Sequence, residues 1–364
     1  MVEYLNAELQ VTGTEATQLL AGPRLSLLAL TFLHPSYILL LLRRTRRIDY
    51  CLSMALPSVR HGSNLTTALH RSQQAPVILG QQSSGKLLAR SSALSQGGAD
   101  DFDVLEKLFF SCTQSADDQS ALLCLERLTH RFGSSNERVM ALRGIYDEAI
   151  AGDRPGLERC LKKYDDILLK NPVNLPILKR RIALLRSLSR PTDAISSLVQ
   201  LLDATPTDAE AWCELAELYQ SQAMSQQAIF SLEEALLIVP HAWNVHARLG
   251  EILYIYARSL DNDSMYRTLQ SSIRHFCRSI ELCDDYLRGF YGLALATTHF
   301  SVKKVPEMAS GGDLPNDALS RLHTLARKKL ADTLTTQYSL EPHLREYEEN
   351  ELSAVKEMLD GSPE

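Results

Sequence analysis

Residues 208–240, DAEAWCELAELYQSQAMSQQAIFSLEEALLIVP, carry the clearest structural pattern in the chain. The first half of this stretch spaces large apolar residues at helical intervals, and its second half places small residues where two helices would cross. In chain order these positions are Trp212, Leu215, Ala216 and Tyr219, then Ala228, Leu232, Ala235 and Pro240. Pro240 ends the second helix because proline cannot donate the next backbone hydrogen bond. The stretch therefore predicts a hairpin of two packed helices.

This spacing matches the tetratricopeptide repeat (TPR), whose signature W-x2-L-G-x2-Y…A-x3-F…P returns about every 34 residues. Ala216 takes the glycine position of the signature, and Leu232 takes the aromatic position. One hairpin cannot bury its own apolar face. The chain must therefore carry neighbouring repeats.

Degenerate copies of the pattern lie on both sides of this hairpin. They cover residues 103–132, 137–172, 174–206 and 243–285, and a last pair joins residues 287–298 to 318–337. An insertion near residues 258–268 separates the two helices of the fifth pair, and Gly250 and Gly292 are interpreted as close-packing glycines. The sequence predicts an all-α, TPR-type α-solenoid of about six helix hairpins with an irregular N-terminal extension. We assign residues 1–100 to that extension and a linker, 101–337 to the solenoid, and 338–364 to a helical, acidic C-terminal tail.

Composition restricts the class of function. The formal net charge is −6, and the chain lacks the clustered basic footprint that nucleic-acid binding needs. Its seven cysteines are odd in number and include no C-x2-C pair. Most fall at apolar helix positions, which indicates buried, reduced thiols and the cytosolic side of any membrane.

The most apolar run is Leu25–Leu42, flanked by Arg24 and by the basic cluster RRTRR at residues 43–47. About 18 apolar residues make a transmembrane candidate, and the basic flank would lie in the cytosol. A cleaved signal peptide is the second alternative, although the preceding segment is acidic. His34-Pro35 interrupts the run, which favours a poorly ordered or partner-covered extension or an error in the gene model.

The sequence lacks the pieces of an enzyme. Gly80, Gly85 and Lys86 match the phosphate-binding pattern G-x4-G-K, but Leu87 stands where a Ser or Thr should hold Mg²⁺. We interpret PVIL, residues 76–79, as an extended segment on the first hairpin, followed by a flexible linker to Asp101. The histidines show no metal-ligand spacing. We therefore predict no catalytic residues, no cofactor, no metal and no small-molecule substrate.

The remaining surface is the concave groove that the first helices of TPR hairpins line. Its outward-facing positions, and hence the candidate partner-binding residues, are Lys179, Arg180, Arg186, Glu210, Glu214, Glu217, Arg248, Glu251, Arg288 and Tyr291. The groove would be basic, then acidic, then mixed. We expect that charge reversal at Lys179, Arg180 and Arg186 together weakens assembly and leaves the protein folded.

A soluble TPR adaptor or cochaperone is the alternative. Such proteins clamp the acidic tail of a chaperone with Lys, Asn and Arg side chains. Lys179 and Arg248 could fill two clamp positions, but Ala183 and Glu214 stand where the clamp needs asparagine. Glu214 would repel the ligand carboxylate.

Four segments carry a more specific resemblance. They are LHRSQQAPVIL (69–79), DDQSALLCLERLTHRFG (117–133), PTDAEAWCELAELY (206–219) and RSIELCDDYLRGFYGL (278–293). Together with the intervening repeats, they resemble the subunit 2 family of the endoplasmic-reticulum (ER) membrane protein complex over residues 65–337. The family pattern has no apolar run like Leu25–Leu42.

The resemblance implies a cytosolic, non-catalytic TPR scaffold attached peripherally to the ER membrane through other subunits. It implies that the complex inserts transmembrane segments, including tail anchors, into the bilayer. The implied partners are the other subunits, with membrane contact mainly through them and no nucleic acid.

Overall fold

The computed structural model describes residues 65–83, 99–302, 315–341, 345 and 347–361. These residues form fourteen α-helices and no strand. In chain order the helices are α1 (Leu65–Ser83), α2 (Ala99–Gln114), α3 (Asp118–Phe132), α4 (Glu137–Ile150), α5 (Arg154–Lys170), α6 (Leu175–Ser187), α7 (Pro191–Ala204), α8 (Ala209–Ser221), α9 (Ser225–Ile238), α10 (Trp243–Ala257), α11 (Asn262–Leu282), α12 (Leu287–Val302), α13 (Asn316–Ser339) and α14 (Glu349–Asp360). The apolar run Leu25–Leu42 and the cluster RRTRR lie outside the described residues.

The helices from α2 to α13 form six consecutive pairs, as the repeat pattern predicts. Within pairs such as α8–α9, α10–α11 and α12–α13 the helices pack directly on each other. Within each unit the second helix of a pair also packs on the first helix of the next, as α3 does on α4, α5 on α6, α9 on α10 and α11 on α12. The all-α, TPR-type solenoid is therefore confirmed, and α1 and α14 are helices outside the six pairs. The described residues form two compact units that divide between Leu201 and Leu202.

The interpretation of PVIL as an extended segment is wrong, because residues 76–79 lie inside α1. Pro76 interrupts the backbone hydrogen bonding there, yet Ala75 and Leu79 on either side are fully or almost fully buried. A guanidinium nitrogen of Arg127 on α3 also donates to the carbonyl of Leu79, at 2.5 Å. Burial against α2 and α3 outweighs the local preference of proline and β-branched residues for extended structure. The segment does pack on the first hairpin, as we expected.

Three of the hairpin turns share one backbone geometry. Ala116, Ser189 and Ala223 have φ of 57°, 58° and 61°, in the left-handed region. In each turn the next N–H donates to the carbonyl five residues before it, at 2.9–3.0 Å, as Met224 does to Tyr219. This is the Schellman arrangement that ends the first helix of a pair.

The insertion near residues 258–268 mostly lengthens a helix. The turn after α10 spans Arg258 to Asp261, and α11 begins at Asn262 and runs for 21 residues. The extra residues therefore add turns to the second helix of the fifth pair and form only a short loop.

The core of the second unit centres on Phe276 of α11, which is 1% exposed. A methyl group at Gly250 would lie 3.1 Å from the Phe276 ring, and one at Gly292 would lie 2.2 Å from it. Both glycines therefore allow the close helix packing that the sequence predicted. At the C-terminal end, α14 buries Leu352 and Val355 in the same core.

No helix in the described part of the chain is both long and apolar enough to cross a bilayer.

Candidate partner-binding site

Three of the predicted partner-binding residues lie on α6, in the first unit. The Asn174 side chain caps this helix by accepting a hydrogen bond from the N–H of Ile177, at 3.2 Å. One face of α6 buries Ile177, Ile182, Leu184 and Leu185. The other faces leave Lys179 exposed and Arg180 and Arg186 partly exposed.

Arg180 is held inside the first unit. Its Nε donates to Oε1 of Glu148 on α4 at 2.7 Å, and its Nη2 donates to the other carboxylate oxygen. The Tyr164 hydroxyl on α5 donates to the same Oε1 at 2.5 Å. Gly144 makes room for this ring, because a methyl group there would lie 2.3 Å from the Tyr164 hydroxyl.

The electrostatics of this contact favour the charged pair. Burial alone would lower the pKa of Arg180, but its hydrogen bonds and charge interaction with Glu148 raise it. Burial, and then the same carboxylate, raise the pKa of Tyr164. Arg180 therefore joins α4, α5 and α6, and the expectation that reversing Lys179, Arg180 and Arg186 together leaves the fold intact is corrected.

The neighbouring Arg181, which the sequence did not single out, joins the other side of α6. Its Nε donates to Asp165 of α5 at 2.6 Å, and its Nη1 donates to the hydroxyl of Ser197 on α7 at 2.6 Å. Arg180 and Arg181 are adjacent in the sequence, yet Arg180 binds α4 and Arg181 binds α5 and α7. Only a three-dimensional structure assigns their partners, because both are ordinary helix-surface residues in the sequence.

The predicted acidic stripe lies on α8, in the second unit. Asp208 caps the helix by accepting from the N–H of Ala211, at 3.2 Å. Trp212, Leu215 and Tyr219 form the buried face. Glu210, Glu214 and Glu217 lie on other positions of the helix, and all three are partly exposed. The stripe therefore belongs to the accessible surface of α8.

Two predicted positions on α10 form an internal ion pair. Arg248 Nη1 donates to Glu251 Oε2 at 2.9 Å, and the two side chains are 12% and 11% exposed. Glu251 is therefore not outward-facing, and the prediction for it is wrong. Arg248 and Glu251 neutralise each other within one helix turn.

The last two predicted positions meet the C-terminal helix. Arg288 of α12 donates to Glu351 of α14 at 3.1 Å. Tyr291 is 6% exposed in the core of the second unit. Burial, followed by Tyr254 and Glu357, raises the pKa of Tyr291 to about 12. Tyr291 is therefore a core residue, and its prediction as a surface residue is wrong.

Further contacts hold α14 in place. An Arg327 guanidinium nitrogen on α13 donates to the carbonyl of Leu359 at 2.8 Å, and the Tyr347 hydroxyl donates to the carbonyl of Asp285 at 2.7 Å. A helical tail was predicted, but its packing site was not. The apolar spacing of Leu352, Val355 and Leu359 was the signal that could have shown a core-facing helix.

Chemically reactive groups are few in this part of the molecule. The described residues contain no group of three or more His, Cys, Asp or Glu side chains arranged to hold a metal ion. Burial raises the pKa of the Cys112 thiol to about 11 and that of Cys124 to about 12. These thiols are protonated at neutral pH and are poor nucleophiles. Lys86 and Leu87 of the phosphate-loop pattern lie outside the described residues, and Gly80 lies in α1.

The surface candidates that the structure leaves accessible are therefore Lys179 and Arg186 on α6 and the three glutamates on α8.

Comparisons with known proteins show which proteins the chain is similar to. Residues 135–258 match the family described as the EMC2 TPR-like repeat domain. The chain is 31% identical over 232 residues to the TPR repeat protein oca3 of Schizosaccharomyces pombe, which covers 64% of this chain and 75% of that protein. It is 28% identical over 256 residues to ER membrane protein complex subunit 2 of Xenopus tropicalis, covering 69% of this chain and 82% of that protein. The subunit 2 of Saccharomyces cerevisiae is 26% identical over 205 residues, covering 55% and 69%.

Proposed function

The chain belongs to the family of ER membrane protein complex subunit 2, and from that premise we propose that it helps a membrane complex to insert transmembrane segments, tail anchors included, into the ER membrane. Family membership makes it a non-catalytic TPR scaffold subunit. In our proposal the scaffold binds peripherally on the cytoplasmic side and holds membrane-embedded subunits in position for the inserted segment.

The observation that carries the proposal is the extent of the family match. It spans α4 to α10, the helices that bear most of the accessible candidate residues. The buried, unpaired thiols of Cys112, Cys124 and Cys160 support the cytoplasmic side, because reducing compartments keep such thiols free.

The mechanism is geometric. Within each unit, packed helix pairs keep the surface residues at fixed positions, and a partner subunit docked on that unit shares its geometry. We assign one contact to the α6 surface around Lys179 and Arg186, and another to the glutamates of α8. A stable interface of this kind buries more than about 1,000 Å². Charged rim residues there would contribute more to partner choice and association rate than to total affinity.

The test is an affinity purification of the tagged chain from membranes in mild detergent, followed by mass spectrometry. We expect a stoichiometric set of multi-spanning ER proteins. An alkaline-carbonate wash should release the tagged chain, as it releases peripheral proteins. Retention in the membrane after the wash would contradict peripheral attachment, and recovery of soluble chaperones alone would favour the adaptor alternative.

A pair of matched variants tests the α6 surface. The double variant Lys179→Glu, Arg186→Glu should reduce recovery of the partner subunits. Arg180 is left unchanged in this variant because it stabilises the fold. The control is Arg159→Glu with Lys162→Glu on α5, which changes the charge equally at two exposed positions. Equal recovery with both double variants would count against the α6 contact.

A further inference from the structure

The turn between α6 and α7 presents a serine in an unusual setting. Its sequence is Arg186-Ser187-Leu188-Ser189-Arg190-Pro191. Ser189 is exposed and has a φ of 58° at the apex of the turn. Leu188 beside it is only 5% exposed and anchors the turn in the core. The backbone at Ser189 is thus fixed while the side chain is solvent-accessible.

The hydroxyl of Ser189 differs from its neighbours. Ser187 donates to the carbonyl of Leu184 at 2.8 Å, and Ser196 donates to the carbonyl of Thr192 at 3.1 Å. In contrast, the Ser189 hydroxyl makes no hydrogen bond within the part of the chain that the structure describes. It is therefore available as a nucleophile without breaking a contact of the fold.

The two nearest charged residues in the sequence are arginines. Arg186 precedes it by three residues, and Arg190 follows it directly. Kinases select their substrate serines by such charge patterns, and those with acidic subsites select an arginine three residues before the serine. We propose that Ser189 is a phosphorylation site for a serine kinase that recognises Arg186.

The reaction uses Mg²⁺-ATP supplied by the kinase. A bond forms between the Ser189 Oγ and the γ-phosphorus, and the bond from that phosphorus to the β–γ bridging oxygen breaks. ADP leaves with that electron pair, and the hydroxyl proton passes to a carboxylate of the kinase and then to solvent.

A phosphoserine at position 189 would lie in a favourable electrostatic environment. A phosphoserine carries about −1.5 to −2 charges at neutral pH. It would lie two residues before Pro191, the first residue of α7, where the helix N-terminus favours an anion. It would also compete with Asp193 for Arg190, whose Nε donates to that carboxylate at 2.7 Å. Phosphorylation is therefore compatible with the folded hairpin.

Modification of Ser189 would also affect assembly, an effect that rests on the proposed function. Arg186 is one of the accessible cations of α6, and a phosphate three residues away would partly neutralise it. Modification would then weaken partner binding at that surface. The modification itself needs no partner, so it is tested on the isolated chain.

The experiment incubates the purified, folded full-length chain with Mg²⁺-ATP and the catalytic subunit of cyclic-AMP-dependent protein kinase, which serves as the arginine-directed probe. Intact mass and phosphopeptide mapping should show one phosphoryl group on the peptide that contains Ser189. Ser189→Ala should abolish it. This variant keeps its fold, because alanine already occupies the same left-handed position at Ala116 and Ala223.

Two further variants test the role of Arg186 and the specificity for Ser189. Arg186→Ala should lower the phosphorylation rate about tenfold, the effect of losing roughly 1.4 kcal/mol of kinase contact. Its fold is checked by circular dichroism. Ser187, two residues away, provides the matched control, because it lacks an arginine three residues before it and its hydroxyl donates to the carbonyl of Leu184. Ser187→Ala should leave the incorporation at Ser189 unchanged. The proposal is overturned if the peptide that contains residue 189 still carries phosphate in Ser189→Ala, or if only the urea-unfolded chain or a peptide of residues 183–195 is phosphorylated at Ser189.

Discussion

Arg180 and Glu148 form a two-point contact between the first helices of consecutive repeats, although 32 residues separate them in the sequence. The Glu148 side chain is 9% exposed, and it also accepts the hydroxyl of Tyr164. A residue that the sequence assigns to a binding groove thus stabilises the stacking of repeats in the first unit.

Arg180→Ala should destabilise the chain, because it leaves a largely buried carboxylate without its cation. Hydrogen bonds to charged groups contribute roughly 1.5–3 kcal/mol, and we expect a loss in the free energy of unfolding within that range. Lys179→Ala, one residue away and exposed, should change it by less than about 0.5 kcal/mol. Urea unfolding followed by circular dichroism measures both, and equal effects would show that the pair contributes nothing to stability.

Gly292→Ala should destabilise the second unit by more than Gly250→Ala does. The added methyl group would lie 2.2 Å from the Phe276 ring in the first case and 3.1 Å in the second. Overpacking of this kind costs about 1–3 kcal/mol. Gly152→Ala, with no atom within 4 Å of the new methyl group, is the control. Phe276→Leu in the Gly292→Ala background should recover part of the loss, and strict additivity of the two changes would exclude direct contact.

Ala223→Gly should stabilise the chain slightly. Its φ of 61° is costly for alanine, and glycine adopts it without strain. Because glycine also loses more backbone entropy on folding, we expect a net gain of only about 0.5 kcal/mol. Ala331→Gly, inside α13, should instead cost about 1 kcal/mol. Thermal melting of the two variants separates the outcomes, and a loss of stability in Ala223→Gly would contradict the turn geometry.

His246 and His275 should make stability depend on pH. Their Nδ1 atoms are 3.2 Å apart, and His246 Nε2 donates to the carbonyl of Pro240 at 3.1 Å, so His275 Nδ1–H donates to a neutral His246. Burial, then His246, lowers the pKa of His275 from 6.5 to about 4. Burial also lowers the pKa of His246, as do the nearby charges of Arg278 and His241.

The direction of the pH dependence of stability follows from these lowered pKa values. At His275 the unfolded chain binds a proton near pH 6.5, whereas the folded chain binds it only near pH 4. The stability that His275 contributes is therefore complete above pH 6.5 and is lost as the pH falls toward 4, and the lowered pKa of His246 acts in the same direction. Urea midpoints measured from pH 7.5 to 4.5 should fall, and His275→Gln should flatten the curve. A His275→Gln curve as steep as that of the parent would assign the effect to other groups.

Trp212→Ala should cost about 3–5 kcal/mol by opening a cavity in the α8–α9 hairpin. The indole is 7% exposed, packs edge-on against Phe230, and donates its N–H to the carbonyl of Pro206 at 2.9 Å. Gln222→Ala, at the exposed end of the same helix, is the control. A melting temperature unchanged by Trp212→Ala would refute the assignment of Trp212 to the buried Trp position of the repeat.

Much of the fold could be predicted because the repeat pattern depends on residues that are close together in the sequence. The positions of Trp212, Tyr219 and Pro240 recur at a fixed period, and each hairpin is decided by residues close in sequence. The helix around Pro76 was misjudged, because burial against helices distant in the sequence determined it. The insertion after α10 was located correctly, and most of it forms the start of α11.

The candidate site was harder to predict, since exposure depends on which helices come next. Arg248 and Glu251 occupy surface-like positions of α10 but pair with each other. Tyr291 occupies a groove position of α12, yet it is buried in the core that α14 completes. Neither the pairing of Arg248 with Glu251 nor the burial of Tyr291 can be predicted from the positions of these residues within a single hairpin.

The all-α class, the six helix pairs and their boundaries to within a few residues could be read from the sequence, because period and small-residue spacing act within one hairpin. The family was indicated by the resemblance of specific segments and not by the period. The tertiary structure alone decided which charged residues remain on the surface. A charge is satisfied by whichever partner packing brings within about 3 Å, and the partners of Arg180 and Arg288 lie 32 and 63 residues away in the chain.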